Sequence, residues 1–252
     1  RTNGSADAYA YFPANYDIAK ATLSAKPVEP PKPGIDKSGR VTFGGVGTQP
    51  GQFCQPTDVE SDAQGNLDVI DSKTKKLQKF DPDGNVIASI DVRTNPLDAT
   101  DGSEPWGLAV QPTTGRVVVA DTFGWKVRIF DRDLKPVLAF GTPPDTSKAP
   151  GPFDLFGPRD AIIDPAGNIW VTDGQDNYPR RARGAAADAP LPAMPAKIIG
   201  HQIYKFSPDG KLLLTLGKAG GNRPNEPADP ASFYQPNAVC PLYTSDAADD
   251  HP

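Results

Sequence analysis

The chain repeats itself, and nothing else in it constrains the fold as strongly. Three landmarks recur in the same order. A proline precedes an apolar run at Pro56, Pro105, Pro158 and Pro236. An aspartate closes the next run at Asp71, Asp121 and Asp173, spacings of 50 and 52 residues. A phenylalanine closes the run after that at Phe80, Phe130 and Phe206. Each copy holds short alternating apolar runs separated by Gly-bearing turns, the pattern of antiparallel strands joined by hairpins. Four short strands in a period near 50 make one blade of a β-propeller. One such sheet is too small to bury its own apolar face, so neighbouring copies must stack.

The first copy predicts strands over Thr57–Ser61, Leu67–Asp71, Lys76–Phe80 and Asn85–Ile90. The second predicts them over Gly107–Gln111, Arg116–Asp121, Lys126–Asp131 and Pro136–Phe140. The third predicts them over Ala161–Asp164, Asn168–Asp173, Gln202–Phe206 and Lys211–Leu216. Val117, Val118 and Val119 are apolar in succession, as in a strand covered on both faces. About 24 extra residues separate Asp173 from Phe206, placing an insertion between Gly174 and about Gly200.

Gly51-Gln52-Phe53-Cys54-Gln55-Pro56-Thr57-Asp58-Val59, with Asp62-Ala63-Gln64-Gly65-Asn66 and Lys79-Phe80-Asp81-Pro82-Asp83-Gly84, resembles the NHL repeat of six-bladed propellers. The second copy departs from it at Glu104-Pro105-Trp106-Gly107 and Thr113-Thr114-Gly115-Arg116. The third, from Gly200 to Lys218 with Phe233-Tyr234-Gln235-Pro236-Asn237, is similar to bacterial relatives of peptidyl-α-hydroxyglycine α-amidating lyase. That resemblance implies a zinc enzyme with channel histidines and a catalytic Arg and Tyr, for which Arg159 and Tyr204 are the candidates. It wants three histidines, whereas the chain has His201 and His251. His201 is a weak metal candidate with a structural role favoured. Only the lyase alternative calls for a metal, zinc or calcium; otherwise no cofactor is evident.

The net charge of −5 and the lack of a dense basic face argue against nucleic acid as the partner. A protein, a carbohydrate or a small molecule fits better. No apolar run approaches the length of a membrane-spanning helix. The resemblance to bacterial proteins places the chain extracytoplasmically, at the periplasm or cell surface.

Residues 1–34 read as a Pro-rich linker, with Lys26-Pro27-Val28-Glu29-Pro30-Pro31-Lys32-Pro33 at its end, connecting to an upstream segment. Residues 35–43 resemble a lone outer strand that would complete a last blade. The repeat region spans 35–239, with blades near 53–92, 104–141 and 156–217 and the first strand of a fourth at 233–239. Residues 240–252 fall out of register and resemble translated sequencing-adaptor read-through. The fold class expected is all-β: a partial propeller of about three four-stranded blades and the start of a fourth.

Residues just after each marker proline sit at the channel mouth, where propellers bind ligands. Asp58, Trp106, Arg159, Asp160 and Asn237 are therefore the candidate ligand contacts, and the function expected is that of a binding scaffold. For Asp58 and Asp160 the competing expectation is capping of local backbone N–H groups. Asp71, Asp121 and Asp173 are expected to hold turns.

Overall fold

A computed structural model describes residues 34–35, 41–94, 102–142, 154–176, 186, 188–190, 193, 198–221, 227 and 229–240. The proposed linker up to residue 33, the proposed read-through from 241 onward and most of the insertion lie outside the described residues.

Strands β1 (Gly34–Ile35) and β2 (Val41–Thr42) pair antiparallel as a small ribbon. The first sheet runs in order through β3 (Pro56–Ser61), β4 (Leu67–Asp71), β5 (Lys76–Phe80) and β6 (Val86–Asp91). The second contains β7 (Pro105–Val110), β8 (Val117–Asp121), β9 (Lys126–Phe130) and β10 (Pro136–Phe140). The third contains β11 (Pro158–Ile163), β12 (Ile169–Asp176), β13 (Gly200–Phe206) and β14 (Leu212–Leu216). All neighbouring pairs in these sheets are antiparallel. Among the described residues the one helical element is a single 3-10 turn, Val92–Thr94, and no helix is long and apolar enough to cross a membrane. Three four-stranded antiparallel sheets whose first strands, β3, β7 and β11, lie side by side form part of a β-propeller.

Two apolar layers hold the sheets together. Between the first and second lie Ile70, Leu77, Val92, Leu108, Val117, Val119, Phe130 and Leu134. Between the second and third lie Val118, Ala120, Val127, Ile129, Phe140, Ile169, Val171, Tyr204 and Phe206. Strand β8 therefore sends Val117 and Val119 one way and Val118 and Ala120 the other, and all four are 0% exposed. This is the doubly covered strand that the valine run predicts. Full burial of each of these valines contributes on the order of 2 kcal/mol.

One contact rule recurs between blades. The end of an outer strand packs on the next blade's marker phenylalanine. Phe140 meets Phe206 at a 4.7 Å centroid distance. Phe43 meets Phe80 at 4.8 Å in the same way, from the segment just after β2. Phe43 thus covers the first blade's marker phenylalanine, although β2 pairs with β1 instead of standing alone. Among the described residues no comparable cover lies over β14, where Leu213 and Leu214 are 55% and 43% exposed. An apolar edge of this kind favours association. Leu214→Lys is expected to suppress concentration-dependent self-association, measured by sedimentation; an unchanged distribution would remove β14 as its cause.

First strands begin at the marker prolines, one to three residues earlier than the apolar pattern suggests. Each marker proline pairs with its marker aspartate (Pro56 with Asp71, Pro105 with Asp121, Pro158 with Asp173), after which the register shifts. A proline fits there because the strand is an edge and its missing N–H is not needed.

Candidate functional site

The register shifts fall at Thr57, Trp106 and Arg159, the residues left unpaired between Pro56 and Asp58, Pro105 and Gly107, and Pro158 and Asp160. A β-bulge leaves one residue out of the ladder and re-aims its side chain. Three consecutive blades thus present one bulge side chain each, from adjacent first strands.

Arg159 Cζ lies over the Trp106 ring at 5.2 Å from its centroid. Arg159 Nε is buried and has no hydrogen-bond partner among the described residues; the same holds for Thr57 Oγ1. Both groups are polar, and leaving either unsatisfied costs free energy. Asn237, one residue after Pro236, is exposed, and residues 233–239, expected to begin a fourth blade, form no strand.

Asp58 and Asp160, one position further on, are engaged. Asp58 Oδ1 accepts from Val59 N at 2.8 Å, and Oδ2 accepts from Leu108 N in the next blade at 2.8 Å. Asp160 Oδ1 accepts from Ala161 N at 2.9 Å, and Oδ2 from Val239 N at 3.4 Å. Each carboxylate caps its own strand; Asp58 also reaches β7, and Asp160 reaches the segment at Val239. The capping expectation therefore describes them, with an interblade reach that the sequence did not reveal. Burial, reinforced by the charges of Asp58 and Glu60, pushes Asp160 up to about 6. Burial also raises Asp58 and Glu60.

Asp71 and Asp121 hold turns, whereas Asp173 lies inside β12, which runs on to Asp176, and holds the backbone ahead of β11. Asp71 accepts from the backbone of Cys54, Gln55, Lys73 and Thr74 at 2.6 to 3.0 Å. Asp121 accepts from Glu104 N, Gly124 N and Ser103 Oγ, and from Arg128 Nε at 3.0 Å. Asp173 accepts from Phe156 N and Gly157 N at 2.9 and 2.6 Å, yet burial outweighs these bonds and raises it to about 7.

His201 is a scaffold residue by geometry. Its φ is +55°, matching Lys75 (+61°) and Trp125 (+54°), which precede the third strand of the other two blades. It is 0% exposed, its Nε2 lies 2.8 Å from Asp176 Oδ2, and its Nδ1 accepts from Gln235 N at 3.2 Å. With Nδ1 accepting, Nε2 carries the proton and donates to Asp176. The ring also packs on Tyr234 at 5.1 Å. Both nitrogens are committed to closing the base of the insertion, where Asp176 and Gly200 are partners across the ladder. Among the described residues no group of three His, Cys, Asp or Glu side chains is arranged to hold a metal.

Tyr204 lies in the layer between the second and third blades and donates its hydroxyl to Gln202 Oε1 at 3.0 Å. Burial, then Asp173 and Asp154, raises its pKa. Strand β12 separates Tyr204 from Arg159 in the sheet, so the backbones of β11 and β13 stand about 10 Å apart. The structure brings Arg159 to Trp106 and Asp160 near Asp58; it does not bring Arg159 to Tyr204.

These charges predict a pH dependence. A carboxyl raised in the fold stabilises it below its unfolded pKa, and that stability is lost as pH rises through the folded value. For Asp160 and Asp173 the loss runs from about 4 to about 6 and about 7. Asp62, Asp91 and Asp164 are lowered by Asn66, Arg93 and Asn168 respectively, working against burial, and their stability is lost only on acidification below the usual carboxylate range. Stability is therefore expected to peak near pH 4 to 5. Asp160→Asn should flatten the decline between about pH 4 and 6 by on the order of 1 kcal/mol, discounted because the group is partly solvated. Melting curves across that range check it, and an unchanged slope would remove Asp160 as a contributor.

No family model matches the sequence, and no curated protein matches it. Solved structures do. A streptogramin B lyase is 17% identical over 68% of this chain and 41% of its own, with a TM-score of 0.44. A hydrazine synthase from Kuenenia stuttgartiensis is 13% identical over 75% and 39%, with a TM-score of 0.47. A virginiamycin B lyase from Staphylococcus aureus is 15% identical over 68% and 42%, with a TM-score of 0.43. The chain spans less than half the length of each of these proteins.

Proposed function

We propose that the chain is an NHL-type propeller module, extracytoplasmic and bacterial, that works as a binding scaffold. Its site is the row of bulge side chains at the mouth, and its ligand is a small molecule, a glycan or a protein segment. One observation carries the reading: Arg159 rests on Trp106 with a buried Nε that no described residue satisfies. An arginine held in place and left with an unsatisfied donor is prepared for an acceptor that displaces its cover. The acidic character of the chain keeps nucleic acid out of the proposal.

The alternative, a metal-dependent amidating lyase, would join Arg159 and Tyr204 on one substrate. Tyr204 faces the interblade layer instead, which favours binding over that chemistry. Zinc content together with lyase turnover discriminates the two.

The three tryptophans provide the test. In protein labelled with 5-fluorotryptophan, the Trp106 resonance is assigned by Trp106→Phe. A library of small molecules, glycans and peptides should contain a compound that moves it saturably while Trp170, which lies beneath Lys205, stays in place. If nothing moves Trp106, the mouth is not a binding site.

A further inference from the structure

The geometry points to an organic monocarboxylate as the group read at Arg159, an inference that rests on the binding reading above. Arginine presents a planar fork that matches a carboxylate with two parallel hydrogen bonds. Here Trp106 supports the guanidinium at 5.2 Å, and one of its nitrogens is buried and unsatisfied. Both features reduce what must be ordered when the acceptor arrives.

The neighbouring charges select among anions. Asp160, next in sequence to Arg159, already bears the repulsion of Asp58 and Glu60. Each further negative charge brought to this mouth meets the same field. A carboxylate brings one charge, whereas a phosphate monoester brings nearly two and has three acceptor oxygens to desolvate. The single arginine offsets the first and is outweighed by the second. Thr57 Oγ1, at the equivalent position of the first blade, is a second buried group awaiting a partner, and it suits a hydroxyl or carbonyl elsewhere on the same ligand.

The test uses the whole chain with phenylacetate, its neutral isostere phenylacetamide, and inorganic phosphate, read at the fluorinated Trp106. Phenylacetate is expected to shift that resonance saturably, while the amide and phosphate leave it in place at the same concentration. Arg159→Gln should abolish the shift. Arg159→Lys, which keeps the charge but not the fork, should weaken it by about tenfold or more. Both variants are first matched to the parent in melting temperature; if Arg159→Gln melts early, Arg159→Lys alone carries the comparison. Tighter phosphate binding, an equal response to the amide, or an unchanged response in the arginine variants would overturn the carboxylate assignment. So would a library compound that moves Trp106 when phenylacetate does not, and that result would leave the binding site standing. If no compound moves Trp106, the binding reading itself falls.

Discussion

Arg128→Met should lower the melting temperature by roughly 10 °C. Arg128 is 1% exposed, and its Nε lies 3.0 Å from the fully buried Asp121 carboxylate. The methionine fills most of the volume but leaves that carboxylate without its cation. Removing one partner of a buried ion pair costs about 3–5 kcal/mol, because the remaining charge is stranded. In a chain of this size about 2–4 °C accompanies each kcal/mol. The other blades supply internal controls. Gln78 takes the equivalent position in the first, where it accepts from Gly51 N and donates to Gln52 O at 2.8 and 2.9 Å. Gln78→Met strands no charge and should cost about 1–3 kcal/mol. Equal losses in the two variants would show that Arg128 acts through packing and not through Asp121.

The same comparison shows why the scaffold was legible in the sequence and the site only in part. Strand placement follows from period-2 alternation and Gly-bearing turns, which are local, so β4, β5, β8 and β9 fall within a residue of the expected bounds. The turn role of Asp71 and Asp121 is also local, since each ends its strand just before a turn, whereas Asp173 lies inside β12 and binds residues 16 and 17 positions away. The bulges at Thr57, Trp106 and Arg159 leave no residue signature, because a register shift is a relation between two strands. The sequence reading expects these residues at a channel mouth but does not foresee the stacking of Arg159 on Trp106. The reach of Asp58 to Leu108 spans 50 residues and two blades, so the visible aspartate gave no hint of its second partner. His201 was readable as structural from its company, but its shared left-handed backbone with Lys75 and Trp125 needed coordinates.

Gly107→Asp should destabilise the chain, although it restores the residue that the repeat places there. Asp58 and Asp160 hold the matching position in the blades on either side. A consensus argument therefore predicts a gain, as consensus substitutions commonly give. The packing predicts the reverse. A Cβ at 107 would stand 2.5 Å from the Arg159 carbonyl oxygen and 2.8 Å from Asp160 Cα, both backbone atoms of the next blade. Relieving that contact means separating β7 from β11. The new carboxylate would also lack a donor: the Ala161 N–H it should reach is already taken by Asp160 Oδ1 at 2.9 Å. It would add a third negative charge beside Asp160, which burial, then Asp58 and Glu60, already raise. The expected loss is about 3 kcal/mol or more, overpacking being the larger part. Gly107→Ala isolates the steric part and should carry most of the loss at any pH. Gly107→Asp should then fall further above about pH 6, where Asp160 ionises, and recover toward the alanine variant in acid. A Gly107→Asp protein that melts above the parent would mean that the two first strands part easily. The repeat, and not the packed contact, would then be the better guide to this interface.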